Sequence, residues 1–249
     1  MSIAPERILY KDEHLLIVNK LAGELVVAAG RKGPAFAEPT SPSLRSASYG
    51  RQARLRGPGA TAGKKLPLFD FLRKDYPGLR VLHRLDFGTS GIIVFARTAE
   101  AVRKVRETKF GGWQKCYCAL VAGKLERKEG IIRKPLRART HEGLVPAVTH
   151  YRVLAAFPEA TYVEARIETG RKHQIRQHFA AIGHPLLLDP LYGDRKKDAA
   201  FRRRLHYRRF FLHASSLTFP HPVTGKMLSI TAALPLAFGN ALSGLHAVS

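Results

Sequence analysis

The amino-acid sequence predicts a fold of the α+β class, with β-hairpins and amphipathic helices in separate parts of the chain. Residues 7–18 hold two apolar runs around a polar turn, and residues 211–232 repeat this arrangement, so each segment predicts a hairpin. Helical spacing of apolar residues follows Thr98, which is suited to cap a helix over 99–109, and it recurs over 175–182. With 45% hydrophobic residues among 249, the chain can form a sizeable core.

Further strands and a short helix are predicted between these segments. An apolar, β-branched run after a glycine-containing turn predicts a buried strand at 92–96. Alternation predicts a strand over 115–122. Tyr117, Ala119 and Val121 share one face of that strand. The remaining predictions are a helix at 68–72 ended by Pro77 and Gly78, short strands and turns within 131–150, and a strand over 162–168.

The chain carries a large excess of positive charge. It has 42 Lys and Arg residues against 19 Asp and Glu residues, which gives a formal net charge of +23. Such an excess indicates a polyanionic partner, with nucleic acid first and an anionic membrane surface second. The sequence has no long basic amphipathic helix with an aromatic face, which disfavours the membrane. Structural RNA-binding proteins would carry the same charge, so charge alone does not indicate an enzyme.

Two segments concentrate the positive charge. Residues 30–65 are rich in Gly, Pro, Ala and Ser, and they contain eight basic side chains with only Glu38 as an acid. This composition is typical of a flexible loop or insertion, and equally of a basic arm that follows a phosphate backbone. A second basic run lies within 195–209. Such a run ordinarily forms a solvated face, and its density favours RNA contact.

Cysteine content and apolar runs indicate the cellular compartment. Cys116 and Cys118 lie two residues apart on one predicted strand, which suits free thiols in a reducing compartment better than a disulfide. The eleven histidines show no clear Cys/His spacing for zinc, so we expect no metal. The sequence shows no signal-peptide stretch and no run of about 20 apolar residues. We therefore expect a cytoplasmic protein that does not enter a membrane.

Residues 83–91, HRLDFGTSG, stand directly before the predicted strand at 92–96. Gly88 and Gly91 bracket a turn, which places Asp86 on a turn held by a rigid strand, a common way to build a reactive site. From this segment alone, a turn-forming or helix-capping aspartate is the more ordinary interpretation. The letters also resemble two kinase motifs, but kinases keep these in separate segments and the chain contains no GxGxxG, so we discard a kinase.

A second candidate segment is GRKHQIRQH, over 170–178. Ile175, Phe179 and Ile182 fall on one face of the predicted helix, which indicates that this face is buried. Because the helix follows a glycine turn, its N-terminal amides together with Arg171 could hold a phosphate. A basic surface helix without a ligand is the alternative interpretation.

Several characteristic segments follow one another along the chain. They are 10–20 (YKDEHLLIVNK), 83–91 (HRLDFGTSG), 115–121 (KCYCALV), 170–176 (GRKHQIR), 183–185 (GHP), 189–193 (DPLYG), and 212–214 (LHA) with 221–225 (HPVTG). Together they resemble the RluA family of RNA pseudouridine synthases. The resemblance covers most of the chain outside 30–65, and seven segments in the same order are a specific signal.

The resemblance implies a fold and a reaction. The implied fold is a single catalytic domain over 1–249, with a mixed, mainly antiparallel sheet, flanking helices and a central RNA-binding cleft. The segment at about 30–65 is a basic insertion in it, and no separate S4 RNA-binding domain is expected. The implied reaction converts uridine to pseudouridine: the N-glycosidic bond breaks, uracil rotates, and C5 bonds to the ribose. It uses no cofactor and no metal.

The resemblance also implies roles for individual residues. Asp86 matches the essential aspartate that attacks or assists at the sugar, and Arg176 matches the basic residue paired with it. Tyr117 matches a tyrosine that stacks on the base, with a further role in proton transfer left open. Arg84, with His83, matches residues that enter the space left by the flipped nucleotide. The predicted substrate-binding residues are His83, Arg84, Arg171, His173, Gln174 and Ile175. Of these, Ile175 matches the aliphatic residue that packs beneath the pair of aspartate and arginine.

The leading hypothesis is an enzyme that isomerises uridines in structured ribosomal or transfer RNA and acts as a monomer. The alternative is a non-catalytic RNA-binding or ribosome-assembly protein on the same fold. The intact set of Asp86, Tyr117 and Arg176 favours the enzyme, because a protein that only binds RNA would be free to lose any of them. A metal-dependent nuclease would need clustered carboxylates, and Asp86 has no acidic neighbour within ten residues on its C-terminal side.

Overall fold

A computed structural model describes residues 3–28, 66–138, 143–205 and 207–246. Within these ranges the chain forms a ten-stranded sheet, a separate two-stranded sheet and helices. The basic segment predicted at 30–65 lies outside the described residues. No helix in the described ranges combines the length and the apolar character that crossing a membrane requires.

The strands are short and follow the apolar runs of the sequence. They are β1 (Ile8–Lys11), β2 (Leu15–Lys20), β3 (Arg80–Val81), β4 (Ser90–Ala96), β5 (Gln114–Ala122), β6 (Glu129–Ile132), β7 (Leu136–Arg137), β8 (Leu144–Val145), β9 (Thr149–Ala156), β10 (Ala160–Ile167), β11 (Leu212–Pro220) and β12 (Met227–Thr231). The predicted strands at 92–96, 115–122 and 162–168 correspond to β4, β5 and β10. The two predicted hairpins are β1–β2 and β11–β12, and both are confirmed.

The large sheet consists of two antiparallel halves joined side by side. Its order is β1-β2-β4-β11-β5-β10-β9-β6, while β3 pairs with β4 and β12 pairs with β11. Every strand pair is antiparallel except β4 with β11, which is parallel. The prediction of a mixed, mainly antiparallel sheet is therefore confirmed, and the single parallel contact marks the place where the halves meet.

The helices pack on both faces of this sheet. They are α1 (Leu68–Leu72), α2 (Ala99–Glu107), α3 (Gln174–Ala181), α4 (Arg195–Arg204) and α5 (Leu236–His246), after a 3₁₀ turn at Pro5–Arg7. Apolar residues of α2 and α3 pack on the sheet face that carries Ala119, whereas α1, α4 and α5 pack on the opposite face. The sheet is thus covered on both sides. This explains why every residue of β4 is buried.

The helix ends show where local sequence rules held. Thr98 caps α2 as predicted, because its side-chain oxygen accepts a hydrogen bond from the backbone N–H of Ala101. This helix ends at Glu107 rather than at residue 109. The prediction that Ile182 belongs to the buried face of α3 is wrong: the helix ends at Ala181, and Ile182 is 39% exposed. The basic run within 195–209 contains α4, and α5 was not predicted at all.

A glycine makes the parallel junction between the two halves possible. Gly91 of β4 aligns with Ala214 of β11, and its φ of +105° lies in a region that side-chain-bearing residues rarely adopt. A β-carbon at position 91 would lie 2.2 Å from the carbonyl oxygen of Ala214, so only glycine allows this approach. The junction lies five residues after Asp86 and fixes where the preceding turn stands on the sheet.

Candidate active site

Asp86 lies on a tight turn that leads into β4. The backbone N–H of Thr89 donates to the carbonyl oxygen of Asp86 at 3.1 Å, which closes the turn. The N–H of Gly23 donates to the carbonyl of Phe87 at 2.7 Å and ties the turn to the end of β2. The Asp86 side chain is 28% exposed. A carboxylate is thus held on a fixed backbone at the protein surface, as the sequence predicted.

A buried lysine supports this turn from below. Lys20 has no exposed surface, and its Nζ donates to the carbonyl oxygens of Thr89 at 2.5 Å, Leu21 at 3.0 Å and Phe87 at 3.3 Å. Burial lowers the pKa of Lys20 to about 7, although the charges of Glu24 and Asp86 act in the opposite direction. Sequence reasoning used Lys20 only as part of a motif and missed this role.

Arg176 joins Asp86 to a second carboxylate. Its Nη1 donates to Oδ2 of Asp86 at 3.2 Å. On the other edge of the guanidinium, Nε and Nη2 donate to the two oxygens of Asp189 at 2.7 and 2.8 Å. The Arg176 side chain is 2% exposed and that of Asp189 is fully buried. The predicted pairing of Arg176 with Asp86 is present in the structure, but Asp189 is its closer partner and was not predicted.

Two aromatic rings enclose the Arg176 guanidinium. Its central carbon lies 4.3 Å from the ring centre of Phe210 and 5.2 Å from that of Tyr192. Both distances fall within the range of a cation–π contact. A β-carbon at Gly88 would lie 2.6 Å from the Phe210 ring, so this glycine lets the turn of Asp86 approach the ring. The guanidinium therefore has little freedom to leave Asp86.

His173 approaches the other oxygen of Asp86. It precedes α3 with a left-handed backbone (φ 54°), and its Nε2 lies 3.5 Å from Oδ1 of Asp86. Its Nδ1 lies 3.1 Å from the hydroxyl of Tyr192. Burial lowers the pKa of His173, which favours the neutral ring. Because a carboxylate can only accept, the neutral ring carries its proton on Nε2 and accepts from Tyr192 at Nδ1.

Tyr117 lies on β5 beside the same junction. In register, Tyr117 stands next to Ala214 of β11, and Ala214 stands next to Gly91 of β4. Its ring packs with the apolar residues on the sheet face that carries Ala119, as predicted. Burial and the charge of Asp86 both raise the pKa of Tyr117. The phenol therefore stays protonated at neutral pH, which suits stacking or proton donation.

Two predicted substrate-binding residues form hydrogen bonds with the protein's own backbone. Nε2 of His83 accepts from the N–H of Val94 at 3.0 Å, and burial lowers the pKa of His83 to about 3, so the ring is uncharged. Gln174 is buried, and its Nε2 donates to the carbonyl of Val148 at 2.9 Å. Its Oε1 accepts from the N–H of Arg171 at 3.1 Å. Their role in substrate binding stays a prediction.

The other predicted residues differ in how accessible they are. Arg84 is exposed on the turn before Asp86. Arg171 is also exposed, and its Nε donates to the carbonyl of Pro146 at 3.2 Å. Ile175 is 4% exposed and belongs to the core beneath the site. Among the residues that the structure describes, no group of three or more His, Cys, Asp or Glu side chains is placed to hold a metal ion.

Comparison with known sequences gives one consistent result. The family described as RNA pseudouridylate synthase matches residues 14–181. Ribosomal large subunit pseudouridine synthase C of Vibrio cholerae is 34% identical over 247 residues, which cover 96% of this chain and 69% of that relative. Ribosomal large subunit pseudouridine synthase D of Zymomonas mobilis is 34% identical over 243 residues, which cover 93% of this chain and 70% of that relative.

Comparison with solved structures supports the same fold. Human RNA Pseudouridylate Synthase Domain Containing 4 superposes with a TM-score of 0.69 at 23% identity, over 96% of this chain and 92% of that chain. Human RNA Pseudouridylate Synthase Domain Containing 1 superposes with a TM-score of 0.63 at 22% identity, over 99% and 98% of the two chains. At this identity the likeness concerns the fold alone.

We predict that Asp189→Asn destabilises the protein by about 3–5 kcal/mol, because it leaves the buried Arg176 without its closest counter-charge. Asp86→Asn should cost clearly less, since Asp86 is partly exposed and makes a single contact with the guanidinium. Chemical denaturation of both variants measures the difference. The exposed Asp75→Asn is the control and should lie within about 0.5 kcal/mol of the wild type. Equal losses at positions 189 and 86 would contradict the prediction.

A second prediction concerns pH. Because the pKa of Lys20 is lowered from 10.5 to about 7 on folding, the unfolded chain binds more protons between these values. Stability contributed by this position therefore rises with pH, by about 2 kcal/mol from pH 7 to pH 9. Denaturation of wild type and Lys20→Met across this range should show the difference between them moving in favour of the wild type. A difference that is constant with pH would show that Lys20 stays charged in the folded protein.

Proposed function

Because the chain belongs to the RluA-type family of RNA pseudouridine synthases, which are isomerases, we propose that it isomerises specific uridines in structured RNA with Asp86 as its catalytic carboxylate. The observation that carries this proposal is the contact between Asp86 and Arg176, with Arg176 anchored in turn by Asp189. A partly exposed carboxylate that is held by a buried guanidinium is placed to attack or assist at a sugar.

The reaction needs few groups besides this carboxylate. The N1–C1′ bond of uridine breaks, the uracil rotates, and a C5–C1′ bond forms. The proton on C5 is then lost and N1 gains one, so the product is an isomer and no co-reactant is consumed. Oδ2 of Asp86 is occupied by Arg176 at 3.2 Å, whereas the contact of Oδ1 within the described residues is the longer one with Nε2 of His173 at 3.5 Å. Oδ1 is therefore the oxygen that we assign to the sugar.

The target base must leave its stack to reach Asp86. Extruding a nucleotide costs a few kcal/mol, which contacts to the flipped base have to offset. In this proposal the ring of Tyr117 stacks on the uracil, and Arg176 holds the aspartate beside it. Arg84, exposed on the same turn, enters the space that the nucleotide leaves. Because the pKa of Tyr117 is raised, we assign stacking or proton donation to it rather than a role as a base.

Phosphate contacts supply most of the affinity in this proposal. The formal net charge of +23 and the exposed arginines of α4 suit an RNA backbone. Phe201 and Asp198 on the other side of α4 are buried, so the helix presents its basic side outward. For each phosphate neutralised, log K should fall by about 0.7 to 0.9 per tenfold increase in salt.

RNA of the large ribosomal subunit is the first substrate that we propose. The support is that the relatives from Vibrio cholerae and Zymomonas mobilis are named as ribosomal large subunit pseudouridine synthases. Transfer RNA is the second substrate. We further propose that the protein acts as a monomer and without a cofactor, since the groups assigned above come from one chain and the isomerisation consumes nothing else.

Mapping of pseudouridine tests the function and identifies the substrate together. Total RNA from cells with and without this gene is treated with carbodiimide and read by reverse-transcription stops. We expect one or a few stops in large-subunit ribosomal RNA to disappear without the gene and to return when it is restored. If no RNA changes while the protein is expressed, the chain is instead the non-catalytic RNA-binding protein considered above.

Asp86→Asn tests the catalytic assignment. The change removes the charge but keeps the size of the side chain, so we expect turnover to be lost and RNA affinity to stay within a few-fold of the wild type. Pseudouridine formation and filter binding on the mapped RNA measure the two effects. Asp75→Asn, on an exposed residue, is the matched control and should keep both properties. Turnover by purified Asp86→Asn protein would refute the mechanism.

A further inference from the structure

An exposed aromatic side chain stands directly beside the catalytic aspartate. Phe87 is 38% exposed, whereas the other Phe, Tyr and Trp side chains of the described residues are buried or half-buried. The proposed chemistry assigns no role to Phe87. Single exposed apolar side chains are common on protein surfaces, so the informative observation is the position of this ring next to the reactive group rather than its exposure alone.

The exposure of Phe87 does not come from a loosely held backbone. Its carbonyl oxygen accepts from the N–H of Gly23 at 2.7 Å and from Nζ of Lys20 at 3.3 Å. The residues on either side are fixed as well, since the turn is closed between Asp86 and Thr89. The ring is therefore presented to solvent from a rigid backbone, and little backbone entropy is lost when a planar group stacks on it.

Arg209 extends this surface. The central carbon of its guanidinium lies 5.9 Å from the Phe87 ring centre, at the outer limit of a cation–π contact. A β-carbon at Gly23 would lie 2.3 Å from Nη2 of Arg209, so glycine leaves the space that the guanidinium occupies. Phe87 and Arg209 thus form one continuous surface beside Asp86, which we call the Phe87 platform.

We propose that the Phe87 platform stacks on the RNA base next to the target uridine. The inference rests on the proposed function, in which the target sugar lies at Oδ1 of Asp86 and its base lies against Tyr117. Because Phe87 follows Asp86 directly in the chain and its ring is exposed, a nucleotide next to the target lies within reach of the platform in this proposal. Every base has a face that can stack on an aromatic ring, and an arginine can contribute a cation–π contact.

The charge around the platform favours RNA over a protein partner. The side chains of Arg84, Arg208 and Arg209 are all exposed on the turn or on the segment that precedes β11. An apolar protein surface would have to cover these charges, whereas an RNA strand brings a phosphate with each base. The platform therefore contributes to RNA affinity and to the position of the strand at the site, through the stacking of the neighbouring base.

Steady-state kinetics on two Phe87 variants test the proposal. The probe is a transcribed stem-loop that carries the mapped uridine, and pseudouridine formation is followed over a range of RNA concentrations. We expect Phe87→Ala to raise KM about tenfold, as the loss of one base–aromatic stack predicts, with a much smaller effect on kcat. Phe87→Trp should restore KM, because it keeps an aromatic face. Leu154→Ala, at a side chain that is also 38% exposed, is the matched control.

A stem-loop with one neighbouring base removed identifies the nucleotide that stacks. If the platform binds the 5′ or the 3′ neighbour, the abasic RNA should raise KM for the wild type, and Phe87→Ala should add little on that RNA. If Phe87→Ala raises KM by the same factor on both abasic RNAs as on the intact stem-loop, the proposal is overturned. A loss confined to kcat would also overturn it, because that result would mean that Phe87 only shapes the catalytic turn.

The result also separates this inference from the proposed function. If the wild type is active and Phe87→Ala has an unchanged KM, the platform is wrong and the function stands. If the mapping finds no pseudouridine that depends on this gene, the function fails and the inference fails with it. Binding of an apolar protein that is lost in Phe87→Ala, with KM for RNA unchanged, would assign the surface to a protein partner instead.

Discussion

The buried ion pair between Arg176 and Asp189 is the interaction on which the rest of the site depends. A guanidinium with 2% of its surface exposed would be very costly without a counter-charge, and Asp189 supplies one through two hydrogen bonds. The pair ties helix α3 to the loop that precedes α4, and the rings of Phe210 and Tyr192 close around it. Asp189 engages Nε and Nη2, and the third nitrogen, Nη1, is the one that donates to Asp86.

This arrangement explains how Asp86 can be paired and still be available. An arginine that bound Asp86 through two parallel hydrogen bonds would occupy both carboxylate oxygens. Because Asp189 already holds Nε and Nη2, Arg176 contacts Oδ2 of Asp86 alone. Oδ1 is left beside a neutral His173, whose proton position follows from its contact with Tyr192. The carboxylate of Asp189 thus limits how strongly Arg176 holds the carboxylate of Asp86.

The sequence predicted the elements of the site better than their connections. The turn that carries Asp86 was predicted from its glycines before a strand, and the face of Tyr117 from alternation along β5, and both signals are local. The catalytic role of Asp86 came from the family resemblance and not from this local pattern. Asp189 lies in a loop with no periodicity, and its burial depends on Arg176, thirteen residues away. Lys20 ends an ordinary strand pattern, and nothing local shows that its ammonium points at carbonyls near residue 88. Ile182 fitted the helical period, but the helix ended one residue earlier.

In the proposed function, the same separation between local and distant contacts distinguishes the groups assigned to the chemistry from the surface assigned to RNA binding. The groups around Asp86 are fixed by long-range contacts within the core: Lys20 beneath the turn, Gly91 against Ala214, and Arg176 against Asp189. These contacts constrain one another, so changing one disturbs the others. The backbone of Phe87 is held by hydrogen bonds, whereas its ring is 38% exposed and contacts Arg209 at the surface. A change of its side chain should therefore leave Asp86 in place, so that in our proposal the binding of the neighbouring nucleotide can be altered separately from the chemistry.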